Sequence, residues 1–275
     1  MWEKEQNASQ VAQQGQYEEA VQPVIDISMV EEDAVNAYMA RVFGWMFIGL
    51  MVTAASTFAI IWGMEMSPAF QDLIWNAPFI FFGVVIAELV LVWVISARVS
   101  TLRPGTAKSL FLLYAVLNGL TFGFVAVLYA TMFINGMATI ALAFGITAVS
   151  FGIMAVIGMT TRTDLTRFGN LFLMGLIGLI IASLANVFFI RSSGFDFLII
   201  IGGLFLFMGL TAYHANRIKL HYAQIALSPN AAESMGLAID QEGLASNLAI
   251  SGALSLYLAF INMFWFILRL LARRN

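Results

Sequence analysis

Glu88 lies inside the apolar run VVIAELVLVWVISARV, and Arg98 follows ten residues later at the end of that run. A charge carried to the middle of a bilayer costs roughly 3 kcal/mol or more unless it is paired or wetted. Glu88 is therefore either one half of an ion pair that fixes helix register or a group that handles ions or protons. His214 is the second candidate. It ends another apolar run in GLTAYHANRIK and is the histidine within or bordering a span, whereas His221 falls in the segment that follows. An imidazole changes charge near neutral pH and gives up its proton when desolvated or set beside a cation. His214 can thus serve as a pH sensor, or as an interfacial side chain bonded to headgroups or a carbonyl.

Depth arithmetic pairs these groups. If the run containing Glu88 is a helix, the carboxylate lies about 15 Å from the level of Arg98 at 1.5 Å per residue. On the last, oppositely directed run, Arg269 lies about 15 Å beyond Ala259 by the same rise. With Ala259 level with Arg98, two polar layers result: Arg98 with His214, and Glu88 with Arg269. Asn118, Asn186 and Asn262 either line a path or bind helices together by hydrogen bonds.

Other chemistries find no support. The zinc-protease pattern H-E-x-x-H is absent, Ser150 in AVSFG has no histidine at its level, and no two aspartates pair within the spans. The chain has no cysteine, which removes disulfides and thiolate metal sites. No metal site is assigned, no cofactor is expected, the chain is not expected to be an enzyme, and no basic face suits nucleic acid.

The elements that position these residues are membrane helices. The 275 residues are 61% hydrophobic and 11% charged, with a mean hydropathy of +0.88. Apolar runs near the roughly 20 residues needed to cross hydrocarbon recur along the chain, and lipid requires that their peptide groups bond internally. Hydropathy and breakers predict seven helices at 38–63, 77–99, 107–130, 135–160, 168–190, 196–215 and 246–271. The segment SPAFQDLIWNAP reads as a connection, and 216–245 as an extramembrane feature with an amphipathic surface helix. Gly175 and Gly178 are expected to allow close helix packing.

Residues 1–35 hold one lysine against eight carboxylates and read as an acidic, disordered tail without a cleaved signal; residues 36–275 form the transmembrane domain. Most basic residues then fall on one side if the N-terminus is cytoplasmic: Lys4, Arg41, Arg98, Arg103, Lys108, Arg162, Arg167, Arg217 and Lys219, against Arg191 in the outer loops. The terminal Arg269, Arg273 and Arg274 dissent, which leaves a re-entrant last segment as an alternative.

Four stretches carry a family likeness: RVFGWMFIGLMVTA, TDLTRFGNLFLMGLIGLIIASLAN, GLTAYHANRIK and GALSLYLAFINMFWFILRLL. They resemble the Bax inhibitor-1, or transmembrane Bax-inhibitor-motif, family, and its bacterial inner-membrane branch in particular. The resemblance implies an all-α bundle of seven transmembrane helices with the last one central, in a bacterial inner membrane. It also implies a pH-sensitive calcium or cation leak, in which two aspartates share a proton against an arginine of the second helix.

This chain departs from that pattern. Tyr213-His214 stands where the resemblance implies Tyr-Asp, and Leu256-Tyr257-Leu258-Ala259 where it implies an aspartate in the last place. The matching arginine is Arg98, and the outer pair is Glu88 with Arg269. Without the carboxylates, calcium loses its most obvious oxygen ligands, and a protonated His214 would repel Arg98. Two functions remain: a cation leak using Glu88, Arg98, Arg269 and His214, or a non-conducting membrane regulator that binds other membrane proteins or a membrane protease.

Overall fold

In a computed structural model of the protein, the described residues are 31–273, apart from 77, 100, 134, 229–232 and 234–240. The expected tail at residues 1–30 lies outside them. Its last residues do not belong to a tail, because helix α1 already starts at Glu32 and runs to Met66. Glu32 and Asp33 sit in its first turn, where carboxylates offset the positive helix end.

A short helix, α2 (Pro68–Asn76), occupies the segment read as a connection. Ser67 and Pro68 explain it: the serine hydroxyl accepts from Phe70 N at 3.3 Å, and proline suits the first helical turn. Gln71 Nε2 donates to Met64 O at 2.6 Å and folds α2 back on α1.

The remaining helices are α3 (Pro78–Arg98), α4 (Pro104–Met132), α5 (Gly136–Thr160), α6 (Gly169–Ala185), α7 (Ser193–Ala226) and α8 (Gln241–Ala272). A 3-10 turn at Thr166–Phe168 leads into α6, and a π turn at Asn186–Ile190 leaves it. No strand occurs among the described residues, and seven helices are long and apolar enough to cross a membrane.

α8 is the axis. It packs against α1, α4, α5 and α7 and buries the largest share of its apolar window. It is continuous over 32 residues, about 48 Å, and is long enough to cross the bilayer. α3 leans chiefly on α4 and α6 on α7, so both stand outside the inner group. α6 has no buried residue at all.

Lipid tails are as apolar as leucine, so packing and hydrogen bonds, not water exclusion, hold such helices together. Glycine at two crossings permits that contact. A Cβ at Gly119 would lie 2.5 Å from Thr53 O across α1–α4, and one at Gly158 would lie 2.8 Å from Ala212 Cα across α5–α7. Gly175 is also tight, against Leu206, but Gly178 faces open space and needs no glycine for packing.

α7 overruns its predicted end by eleven residues and absorbs the start of the segment read as extramembrane; most of the remainder, at 229–240, lies outside the described residues. The overrun is held by polar side chains that cap a neighbouring helix. Asn216 Nδ2 donates to Gly158 O at 3.3 Å, and Lys219 Nζ donates to Met159 O at 2.7 Å and Thr161 O at 3.2 Å. These are carbonyls that the end of α5 cannot satisfy within its own helix.

Candidate functional site

The five candidate residues separate into four places. Glu88 belongs to a polar layer between α3 and α4. Its Oε1 accepts from Thr121 Oγ1 at 2.5 Å, and its Oε2 accepts from Asn118 Nδ2 at 3.4 Å. Asn118 also donates to Tyr114 OH at 3.3 Å. Among the described residues no cation lies within ion-pairing distance of Glu88.

Next to this layer, Tyr257 of α8 is fully buried, with its hydroxyl 2.6 Å from Thr53 Oγ1. Thr53 has one hydrogen and two carbonyl acceptors, Gly49 O and Ala115 O, each at 3.0 Å. If it donates to one of these, the phenol donates to Thr53. Asn118 binds helices, and Asn186 Oδ1 caps the turn before α7 by accepting from Ser192 N at 3.0 Å.

Arg269 is not the partner of Glu88. It and Arg273 both pair with Asp196 in the first turn of α7, Arg273 at 3.0 Å. Depth arithmetic fixes level but not azimuth, and Arg269 points toward α7 rather than toward α3. One carboxylate thus holds two of the arginines that broke the charge asymmetry. Asp196 was legible as an acidic residue opening a span, and Arg269 and Arg273, four apart, share one helix face.

Arg98 is exposed at the end of α3, a helix that packs chiefly on α4 and not along α7. It therefore does not face His214. The cation near His214 is Arg217, one turn further along α7, in the segment expected to be extramembrane.

His214 and Ala259 do come together. Both line a cavity of about 1050 Å³ between α6, α7 and α8. α8 contributes Ser255, Ala259, Asn262 and Phe266, whose spacing of four, three and four places them on one face. One end of the cavity holds Thr166, Arg167, Asn170, His214 and Arg217; no aspartate or glutamate among the described residues lines it. Beyond that end the α6 wall is almost wholly apolar. His214, Arg217 and Ser255 also border a smaller cavity of about 70 Å³ beside Tyr38 and His221.

A family profile described as "Inhibitor of apoptosis-promoting Bax1" matches residues 35–275. The chain belongs to the Bax inhibitor-1 family. It is 37% identical over 243 residues to the inner membrane protein YbhL of Escherichia coli K12, covering 87% of this chain and 93% of that one. It is 35% identical to an uncharacterized protein of Borreliella burgdorferi (92% and 99% covered) and 34% identical to one of Deinococcus radiodurans (91% and 97%). With seven helices long and apolar enough to cross a bilayer, this chain is an integral membrane protein.

Within this family chain, the positions that the resemblance marks as a carboxylate pair are a histidine and an alanine on one cavity wall, and the nearby cations are Arg167 and Arg217. Among the described residues no three histidine, aspartate or glutamate side chains converge as a metal site would need. A calcium ion seeks six to eight oxygens, several of them carboxylate.

Proposed function

We propose that this chain is a non-conducting membrane regulator of the Bax inhibitor-1 family rather than a calcium leak. The observation that carries the reading is the lining of the α6–α7–α8 cavity, where Arg167, Arg217 and His214 stand and no carboxylate is found among the described residues. A divalent cation entering that space would meet fixed positive charge and few anionic ligands, so its barrier would be higher than in water. Regulation would then proceed by occupancy of the cavity, or by contact of the exposed helices with another membrane protein.

The orientation with a cytoplasmic N-terminus fits this reading. It places Arg167 and Arg217 on the inner side with the other basic loops, and it leaves outside a C-terminal basic pair already held by Asp196. The second reading is a cation leak modulated by pH. Glu88 favours it, as a carboxylate within a span with hydroxyl and amide donors but no ion-pair partner among the described residues.

Calcium efflux from proteoliposomes between about pH 5 and 8 separates the two, since a histidine switch would act in that range. A regulator gives efflux at the protein-free rate throughout. A leak gives efflux that rises with protein and falls when Glu88 is replaced by glutamine.

A further inference from the structure

The cavity that carries the proposed function has two unlike ends. At one end stand Arg167 and Arg217 with the donors Thr166 and Asn170. Neither arginine has a carboxylate within ion-pairing distance among the described residues. The nearest acidic residue in sequence, Asp164, is engaged within its own turn, where it accepts from Thr166 N at 2.8 Å and Thr166 Oγ1 at 2.6 Å. α6 begins at this end, and its N-terminal dipole adds to the positive potential.

At the other end the lining is apolar in effect. From Phe172 to Leu184 the α6 wall spans thirteen residues, a rise of about 18 Å. That is slightly more than half of a hydrocarbon layer about 30 Å thick. The polar side chains met on the way are bonded to their own helices: Ser183 Oγ donates to Leu179 O at 2.7 Å, and Asn262 Nδ2 donates to Leu258 O at 2.8 Å. α6 packs on α7 with α8 across the cavity, and Leu173, Ile180 and Leu184 of its lining stay exposed, as side chains that meet lipid would.

A guanidinium pair above an apolar slot one leaflet deep matches one class of molecule, an anionic phospholipid. We infer that this cavity holds such a lipid, its phosphate between Arg167 and Arg217 and an acyl chain along α6. A guanidinium presents a fork of N–H donors that fits two phosphate oxygens at once, and with the proposed orientation both arginines face the leaflet in which anionic lipids concentrate. A free phosphate would satisfy the arginines but leave the slot unused.

This inference rests on the same cavity as the regulator reading, but its test does not measure conduction. The purified full chain in neutral detergent is exchanged into phosphatidylglycerol or phosphatidylcholine, and lipid retained after delipidation is quantified by native mass spectrometry. Phosphatidylglycerol should be retained in preference to phosphatidylcholine. Arg167→Gln/Arg217→Gln should weaken that retention roughly thirty-fold, on the scale of two interfacial arginines. Arg103→Gln, another exposed arginine away from the cavity, should leave it unchanged.

Leu173→Trp, which narrows the slot and leaves the charges in place, should also reduce retention. It serves in place of the double variant if that one fails to fold. Equal retention of both lipids, retention unaffected by either cavity variant, or displacement of phosphatidylglycerol by inorganic phosphate would overturn the assignment. Efflux above background with selective retention intact would defeat the regulator reading alone. Silent efflux with unselective retention would defeat the lipid site alone.

Discussion

Gly158→Ala is expected to be among the most damaging single-methyl additions in this protein. The new Cβ would overlap Ala212 O and stand 2.8 Å from Ala212 Cα. Both are backbone atoms of α7, so no side-chain rotation relieves the clash. α5 and α7 must separate, and a gap of about 0.5–1 Å forfeits a quarter to a half of each dispersion contact along the crossing.

Overpacking of this kind costs about 1–3 kcal/mol. Moving α5 also lengthens the bond from Asn216 to Gly158 O, already 3.3 Å, and that from Lys219 to Met159 O. Losing one adds about 1 kcal/mol. The total is about 2–4 kcal/mol, less up to about 1 kcal/mol returned by the better helix propensity of alanine.

Gly152→Ala on the same helix is the control, because nothing lies within 4 Å of its added Cβ. That variant should be neutral or more stable by up to about 1 kcal/mol. Equilibrium unfolding in mixed micelles measures both. Equal stability of the two variants would refute the claim that α5 and α7 meet backbone to backbone.

Tyr257→Phe should cost about 1 kcal/mol in the same assay, since it removes one buried hydrogen bond and leaves Thr53 with its carbonyl acceptors. Asp196→Asn should destabilise by about 1–2 kcal/mol at low salt and less at high salt, because one half-buried carboxylate holds two arginines; an effect insensitive to salt would contradict the ion-pair account. Arg191→Gly should stabilise by about 1 kcal/mol, as Arg191 holds φ at 52° where a side chain is strained.

The seven spans were legible because lipid leaves a chain few ways to satisfy its backbone, and hydropathy reports length directly. Their ends were not. Asn216 and Lys219 read as the exit from a membrane, yet their side chains reach back to the last carbonyls of α5, a partner that no local pattern names. The Ser67-Pro68 start of α2 was a readable cap that the loop assignment passed over.

The pairings of the candidate residues were not legible. His214 and Ala259, on two different helices, line one cavity. Glu88, Arg98 and Arg269 were matched by depth, and depth says nothing about which way a helix face turns. Asp196 and Arg217 supply the charges that those matches lacked, and both stood in the sequence as ordinary helix-end residues.

If the chain is the regulator proposed above, a cavity with His214 and Ala259 where the resemblance implies aspartates does not pass calcium. Calcium efflux from matched proteoliposomes of the native chain and of His214→Asp/Ala259→Asp tests it most directly, since both positions line the same cavity. The account predicts a silent native chain and a calcium leak in the double variant, because the two aspartates return oxygen ligands and offset Arg217. A native chain that leaks as fast as the double variant, with a rate altered by His214→Ala, would contradict it.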